Sequence, residues 1–171
     1  MTELQRWSRR VDQFWETADD DDAEAVLEGM KALVAERPVG DPAALLEWAG
    51  AHDSVGLEAE AVPLYRQALA AGLDPEREAR AIVQLASSLR NVGDPIAAVE
   101  LLRAAPDHPA VGAARGAFLA LALFDAGQPG EALATALHAL TPTLPGYRRA
   151  LDYYASQLPT SGTSSGMTSA S

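Results

Sequence analysis

The sequence predicts an all-α chain of stacked antiparallel helix hairpins, and three observations predict it. Ala and Leu supply most of an apolar content of 48%, while aromatic residues make up only 6%, a balance that suits closely packed helices and not strands. Asp-Pro pairs at 41–42, 74–75 and 94–95 each join an N-cap side chain to a proline fitted to the first helical turn. Glycines at 56, 93 and 127 recur with alanines held in step around them, so one hairpin design is used three times.

The elements follow in order from start and stop signals. Thr2 and Gln5 form a capping box for a helix over 3–17, whose Leu4, Trp7, Val11 and Phe14 recur at helical spacing. The acidic run at 19–22 reads as a turn that caps the next helix, over 23–36. Asp41-Pro42 opens a helix over 42–54 that Gly56 stops, and a helix over 58–71 follows, stopped by Gly72. Pro63 falls in the second turn of that helix, where the lost backbone hydrogen bond predicts a slight kink. Asp74-Pro75 opens 75–91 and Asp94-Pro95 opens 95–104. The last three helices are expected over 110–126, 129–140 and 145–158. The Ser/Thr/Gly-rich stretch from Pro159 has little to bury, so a disordered tail is expected there.

Aligning Gly56, Gly93 and Gly127, which stand 37 and 34 residues apart, places alanine at nine matching positions. These are Ala49, Ala86 and Ala120 before the glycines, then Ala61, Ala98 and Ala132, then Ala68, Ala105 and Ala139 after them. Alanine at a helix crossing lets two backbones approach to about 8–10 Å, with larger neighbours filling the flanks. The glycine then ends the first helix of a hairpin, and the small residues beyond it seat the second.

On these residues the chain resembles the tetratricopeptide repeat family, whose unit of about 34 residues is a helix–turn–helix with small residues at these places. It is similar to small bacterial members of that family. The resemblance divides the chain into a degenerate N-terminal helix pair (1–40), three repeats (41–140), a C-terminal capping helix (141–158) and the tail (159–171). It departs from the family pattern at Trp48, three positions later than the usual tryptophan, and at Gly116 and Ala136, where large residues are usual.

The resemblance implies a right-handed superhelical solenoid whose first helices line a concave face, and a partner peptide or helix bound there. By position the groove wall takes Leu46, Glu47, Gly50, Asp53 and Ser54 from the first unit. The second supplies Arg80, Val83, Gln84, Ser87, Arg90 and Asn91, and the third Ala117, Phe118, Leu121, Phe124 and Asp125. Periodicity alone supports the middle set: Arg80, Gln84, Ser87 and Asn91 make one polar stripe opposite Ile82, Leu85, Ala86 and Leu89. That stripe is either a solvated face or a binding surface. Asp53, Arg90 and Asp125 are expected to meet as an acid–base–acid ladder across neighbouring helices, structural in the first place and an anion grip in the second.

Two apolar features admit other uses. The run over 116–124 is apolar all round its helix and is expected to lie under the neighbouring hairpin and the final helix, with Tyr147, Leu151 and Tyr154; the alternative is contact with a partner or a second copy. Trp7, Phe14 and Trp15 either cap the stack or mediate self-association.

Catalysis finds no support. His52, Asp53 and Ser54 are consecutive on a helix and point about 100° apart, so they cannot share the hydrogen bonds of a triad. His108 and His138 stand singly without metal-ligand spacing, the acidic run lacks a calcium loop's spacing and glycine, and no phosphate-cradling glycine motif occurs. The absence of cysteine excludes thiolate chemistry, and no cofactor is expected. A net charge of −11 argues against nucleic acid as partner. No stretch has signal-peptide or membrane-span character, so a cytoplasmic protein is expected. The sequence therefore points to a non-catalytic adaptor or regulatory scaffold that binds another protein, with a self-associating structural protein or a small-ligand-binding helical protein as alternatives.

Overall fold

A computed structural model describes residues 1–19 and 21–159, and the expected disordered tail, apart from Pro159, lies outside the described residues. Among those residues there are nine α-helices and no strand. They are α1 (Glu3–Thr17), α2 (Ala23–Val34), α3 (Pro42–Ser54), α4 (Glu58–Ala71), α5 (Pro75–Asn91), α6 (Pro95–Ala104), α7 (Ala114–Asp125), α8 (Pro129–Leu140) and α9 (Arg148–Ser156), with a 3₁₀ turn at Thr141–Thr143 before the last. Each helix packs on the next, and the first helices of successive hairpins also meet, α3 on α5 and α5 on α7. This is the expected all-α stack of hairpins.

Local chemistry sets the helix starts. Thr2 Oγ1 accepts from the Gln5 N–H at 3.2 Å while Gln5 Oε1 accepts from the Thr2 N–H at 2.8 Å, completing the capping box. Asp22, Asp41, Asp74 and Asp94 each accept from the N–H three residues on, at 3.0, 3.0, 3.1 and 3.1 Å. The hairpin turns repeat in backbone detail. Gly56, Gly93 and Gly127 take φ of 78°, 87° and 75°, and the residue after each donates five residues back: Leu57 to His52 O at 2.8 Å, Asp94 to Leu89 O at 2.9 Å and Gln128 to Leu123 O at 2.9 Å. A left-handed glycine with that bond is a Schellman stop, which satisfies carbonyls that the helix end would leave bare.

The alanines lie where the repeat requires. Ala49, Ala61, Ala68, Ala86, Ala98, Ala120 and Ala132 are buried, while Ala105 and Ala139 are half-buried. One apolar cluster runs from α3 to α8 around Tyr65, Leu85, Leu102 and Leu123, and a second joins α1, α2 and α3 around Trp7, Val11, Val26 and Met30. Helix α4 continues through Pro63, whose ring is exposed. In the third unit the small residues bring α7 and α8 together: a Cβ on Gly116 would stand 2.8 Å from Ala139 Cβ. Beside that contact a cavity of about 650 Å³ opens, lined by Gly116, Leu119, Ala139 and Pro142 among others.

Three expectations are corrected. Helix α7 starts at Ala114 and not at 110, because Gly112 turns the chain at φ 49° and Ala113 offers no capping side chain. Helix α9 starts at Arg148 and not at 145, after Tyr147 in a left-handed conformation at φ 63°. That entry lays α9 against α8 and the 3₁₀ turn, not over α7. Tyr147 and Tyr154 consequently remain 91% and 65% exposed, and Leu121 and Phe124 on α7 are 47% and 64% exposed, so the final helix does not cover the apolar run.

The aromatics of α1 divide their work. Trp7 is buried and its Nε1–H donates to Leu33 O at 2.8 Å. Phe14 lies over Gly29, where a Cβ would come within 2.5 Å of its ring, so any larger residue there would have to push the Phe14 ring aside. Trp15 points elsewhere, onto α3.

Candidate functional site

Helices α1, α3 and α5 enclose a groove. Its cavity of about 300 Å³ is lined by Asp12 and Trp15 from α1, by Leu46, Glu47, Gly50, Asp53 and Ser54 from α3, and by Arg80 and Gln84 from α5. It continues towards the helix starts as a smaller space of about 210 Å³, where Ser8, Val11, Glu76 and Arg77 join Asp12, Leu46, Glu47 and Arg80. Helix α3 is the floor, and α1 and α5 are the walls.

The floor is set by spacing. Glu47, Gly50 and Asp53 stand three residues apart and so share one face of α3. Trp15 Nε1–H donates to Glu47 Oε2 at 2.9 Å, which ties the α1 wall to the floor. Across the groove mouth an Arg77 Nη2–H donates to Ser8 Oγ at 2.7 Å. Burial pushes the Glu47 carboxyl above its usual range; the Trp15 hydrogen bond and then Arg77 and Arg80 oppose this, and Asp12 adds to it. Asp53 is likewise raised by burial, against hydrogen bonds from Ser88 and Tyr65.

Gly50 has no structural reason to be glycine. Its nearest neighbours to an added Cβ would be Trp15 Cζ2 at 3.7 Å, Gln84 Nε2 at 3.9 Å and Tyr65 OH at 3.9 Å, all ordinary contacts, and it adopts no left-handed backbone. A glycine inside a helix costs about 0.5–1 kcal/mol relative to alanine. What it gains here is an open floor.

Of the residues expected in the groove, Leu46, Glu47, Gly50, Asp53, Ser54, Arg80 and Gln84 line this cavity. Ser87 is half-buried on α5 beyond it. Arg90 pairs with Asp125, and Asn91 Nδ2–H donates to Glu58 Oε1 at 3.1 Å, so both serve links between helices. Leu121 and Phe124 are exposed on α7. The expected ladder forms only in part. Asp53 does not reach Arg90; it accepts instead from the buried hydroxyls of Ser88 at 2.8 Å and Tyr65 at 3.3 Å. Asp12 and Trp15 were missing from the expected set, although Ser8, Asp12 and Trp15 stand four and three residues apart and form a stripe of their own.

His52, Asp53 and Ser54 do not bond to one another. His52 Nδ1–H donates to Trp48 O at 2.8 Å with its ring edge-on to the indole, Ser54 Oγ donates to Ala51 O at 3.0 Å, and Asp53 is engaged as described.

A family model described as tetratrico peptide repeat matches residues 42–158. The chain belongs to the tetratricopeptide repeat family. No curated protein and no solved structure gives a match. Tetratricopeptide repeats generally mediate protein–protein interaction and are generally non-catalytic. Among the described residues no helix is long and apolar enough to cross a membrane.

Proposed function

We propose that this tetratricopeptide chain is a non-catalytic interaction module, an adaptor or regulatory scaffold, that receives a peptide or helix of a partner protein in the groove between α1, α3 and α5. Residues 1–40 act as a degenerate first unit that supplies the α1 wall, 41–140 as three repeats, and 141–158 as the cap of the stack. The observation that carries this reading is Gly50, a helix-interior glycine at the groove floor that neither packing nor backbone geometry demands. Groove side chains that are satisfied yet open to solvent suit a surface that a partner joins without refolding the chain.

The test is a Gly50→Leu variant. Removing the helix-interior glycine offsets any crowding, so its melting temperature should match or exceed that of the wild type, while its side chain fills the cavity. Affinity capture from native lysate, read by mass spectrometry, should then lose the partner that wild type retains. Equal capture by both would remove the groove from the function.

The exposure of Leu121 and Phe124 favours a second reading, self-association through α7. Under the groove reading the chain should sediment as a monomer at micromolar concentration. A dimer abolished by Phe124→Ser would establish the second reading in its place.

A further inference from the structure

The charges around the groove are not equivalent. Every cation near it is engaged by an acid of the same chain: Arg77 by Asp74 at 2.5 Å, Arg80 by Glu76 at 3.1 Å, and Arg90 by Asp125. The acids of the floor have no such partner. Glu47 takes one hydrogen bond, from an indole N–H, and Asp53 takes two, from hydroxyls; among the described residues neither is within ion-pair distance of a cation. Asp12 on the α1 wall adds a third carboxylate to the same cavity.

Geometry places the two floor acids around a gap. Glu47 and Asp53 each stand three residues from Gly50, about 4.5 Å along the axis. Gly50 itself lines the cavity, and Trp15 Cζ2, Gln84 Nε2 and Tyr65 OH border the place its Cβ would take, at 3.7, 3.9 and 3.9 Å. A cationic head entering there would meet a carboxylate on either side along α3. An acidic segment would meet three carboxylates and would have to break existing ion pairs to find an arginine.

We infer that the occupant of the groove is a basic segment of a partner protein, one of whose lysine or arginine side chains enters over Gly50 between Glu47 and Asp53. This rests on the groove reading above and names the chemistry of its partner. The chain's net charge of −11 acts in the same direction, drawing a basic segment in from a distance. The arginines Arg77 and Arg80 are taken up by Asp74 and Glu76, and the anion grip expected at Arg90 is given over to Asp125.

The experiment is selection of a random-peptide phage library on the full chain, with counter-selection against Gly50→Leu to keep groove-dependent clones. Those clones should be enriched in Lys and Arg. Their binding should weaken about tenfold or more in Glu47→Gln, which keeps an acceptor for Trp15, and should tighten in Arg80→Glu. Groove-dependent clones that are acidic or uncharged, or that ignore both variants, would overturn the basic partner while leaving the groove in use. If no clone depends on the groove, both this inference and the groove reading fall.

Discussion

Ala98→Leu is expected to destabilise the chain by about 1–3 kcal/mol, the cost of forcing extra methylenes into a filled core. That corresponds to a loss of about 2–4 °C per kcal/mol for a chain of this size. Ala98 is fully buried and sits five residues after Gly93, where α6 is seated against α5. The surrounding cluster of Leu85, Leu89, Val99 and Leu102 is itself buried, so a larger side chain has nowhere to go without parting the two helices. A repeat stack is held by contacts between neighbouring units, so parting one hairpin also weakens its junction with the next. The control is Ala105→Leu, in the same unit. Ala105 ends α6 and is only half-buried, so its leucine can turn outward and should cost less than half as much. Thermal and urea unfolding of the two variants check this directly. Equal losses would mean that the cost does not follow the closeness of the α5–α6 crossing.

What the sequence disclosed, and what it withheld, divides by the range of the interactions. The Asp-Pro starts and the Gly56, Gly93 and Gly127 stops were legible because each is a device of a few consecutive residues, closed by backbone bonds within the same turn. The start of α7 was not, since Ala113 carries no capping group and the boundary falls to the bend at Gly112. The α5 side of the groove followed from helical periodicity, and the α3 side from the resemblance to tetratricopeptide repeats. The α1 side did not, because the seat of α1 is fixed by Phe14 over Gly29 and by Trp7 on the Leu33 carbonyl, contacts that span many residues and leave no local signature. Asp53 shows the same limit. Its place in the repeat pointed to Arg90, but helix rotation offers it Ser88 and Tyr65 first, and Arg90 turns to Asp125. The path of α9 depended on one left-handed residue, Tyr147, which composition does not reveal.

Tyr65 is where the stability of the stack and the shape of the groove meet, and Tyr65→Ala is expected to cost about 3–5 kcal/mol, as for other large buried aromatics cut to alanine. The ring is fully buried between hairpins, and its hydroxyl lies behind Gly50 and donates to Asp53 at 3.3 Å. Against a total stability of about 5–15 kcal/mol this loss is severe. Tyr65→Phe isolates the hydroxyl. Because that bond is long and Ser88 holds Asp53 more closely at 2.8 Å, its removal should cost about 1 kcal/mol or less. The pH dependence gives the sharper test. Burial raises the Asp53 carboxyl above its ordinary 3.8, so the native state keeps that proton longer than the unfolded state. Stability from this group is therefore fully present below the unfolded value and declines as pH rises through the raised one. The Tyr65 hydroxyl opposes the rise, so deleting it should lift the Asp53 carboxyl further and steepen the decline. Asp41 and Asp74 are lowered by arginine and backbone partners and act with the opposite sign, but they are common to both proteins and cancel in the comparison. Urea unfolding of wild type and Tyr65→Phe should thus give curves that diverge as pH rises above the ordinary aspartate value of about 4, with the larger deficit at the higher pH. Parallel curves would show that the Tyr65 hydroxyl does not act on Asp53, and that Ser88 alone holds the carboxylate at the groove floor.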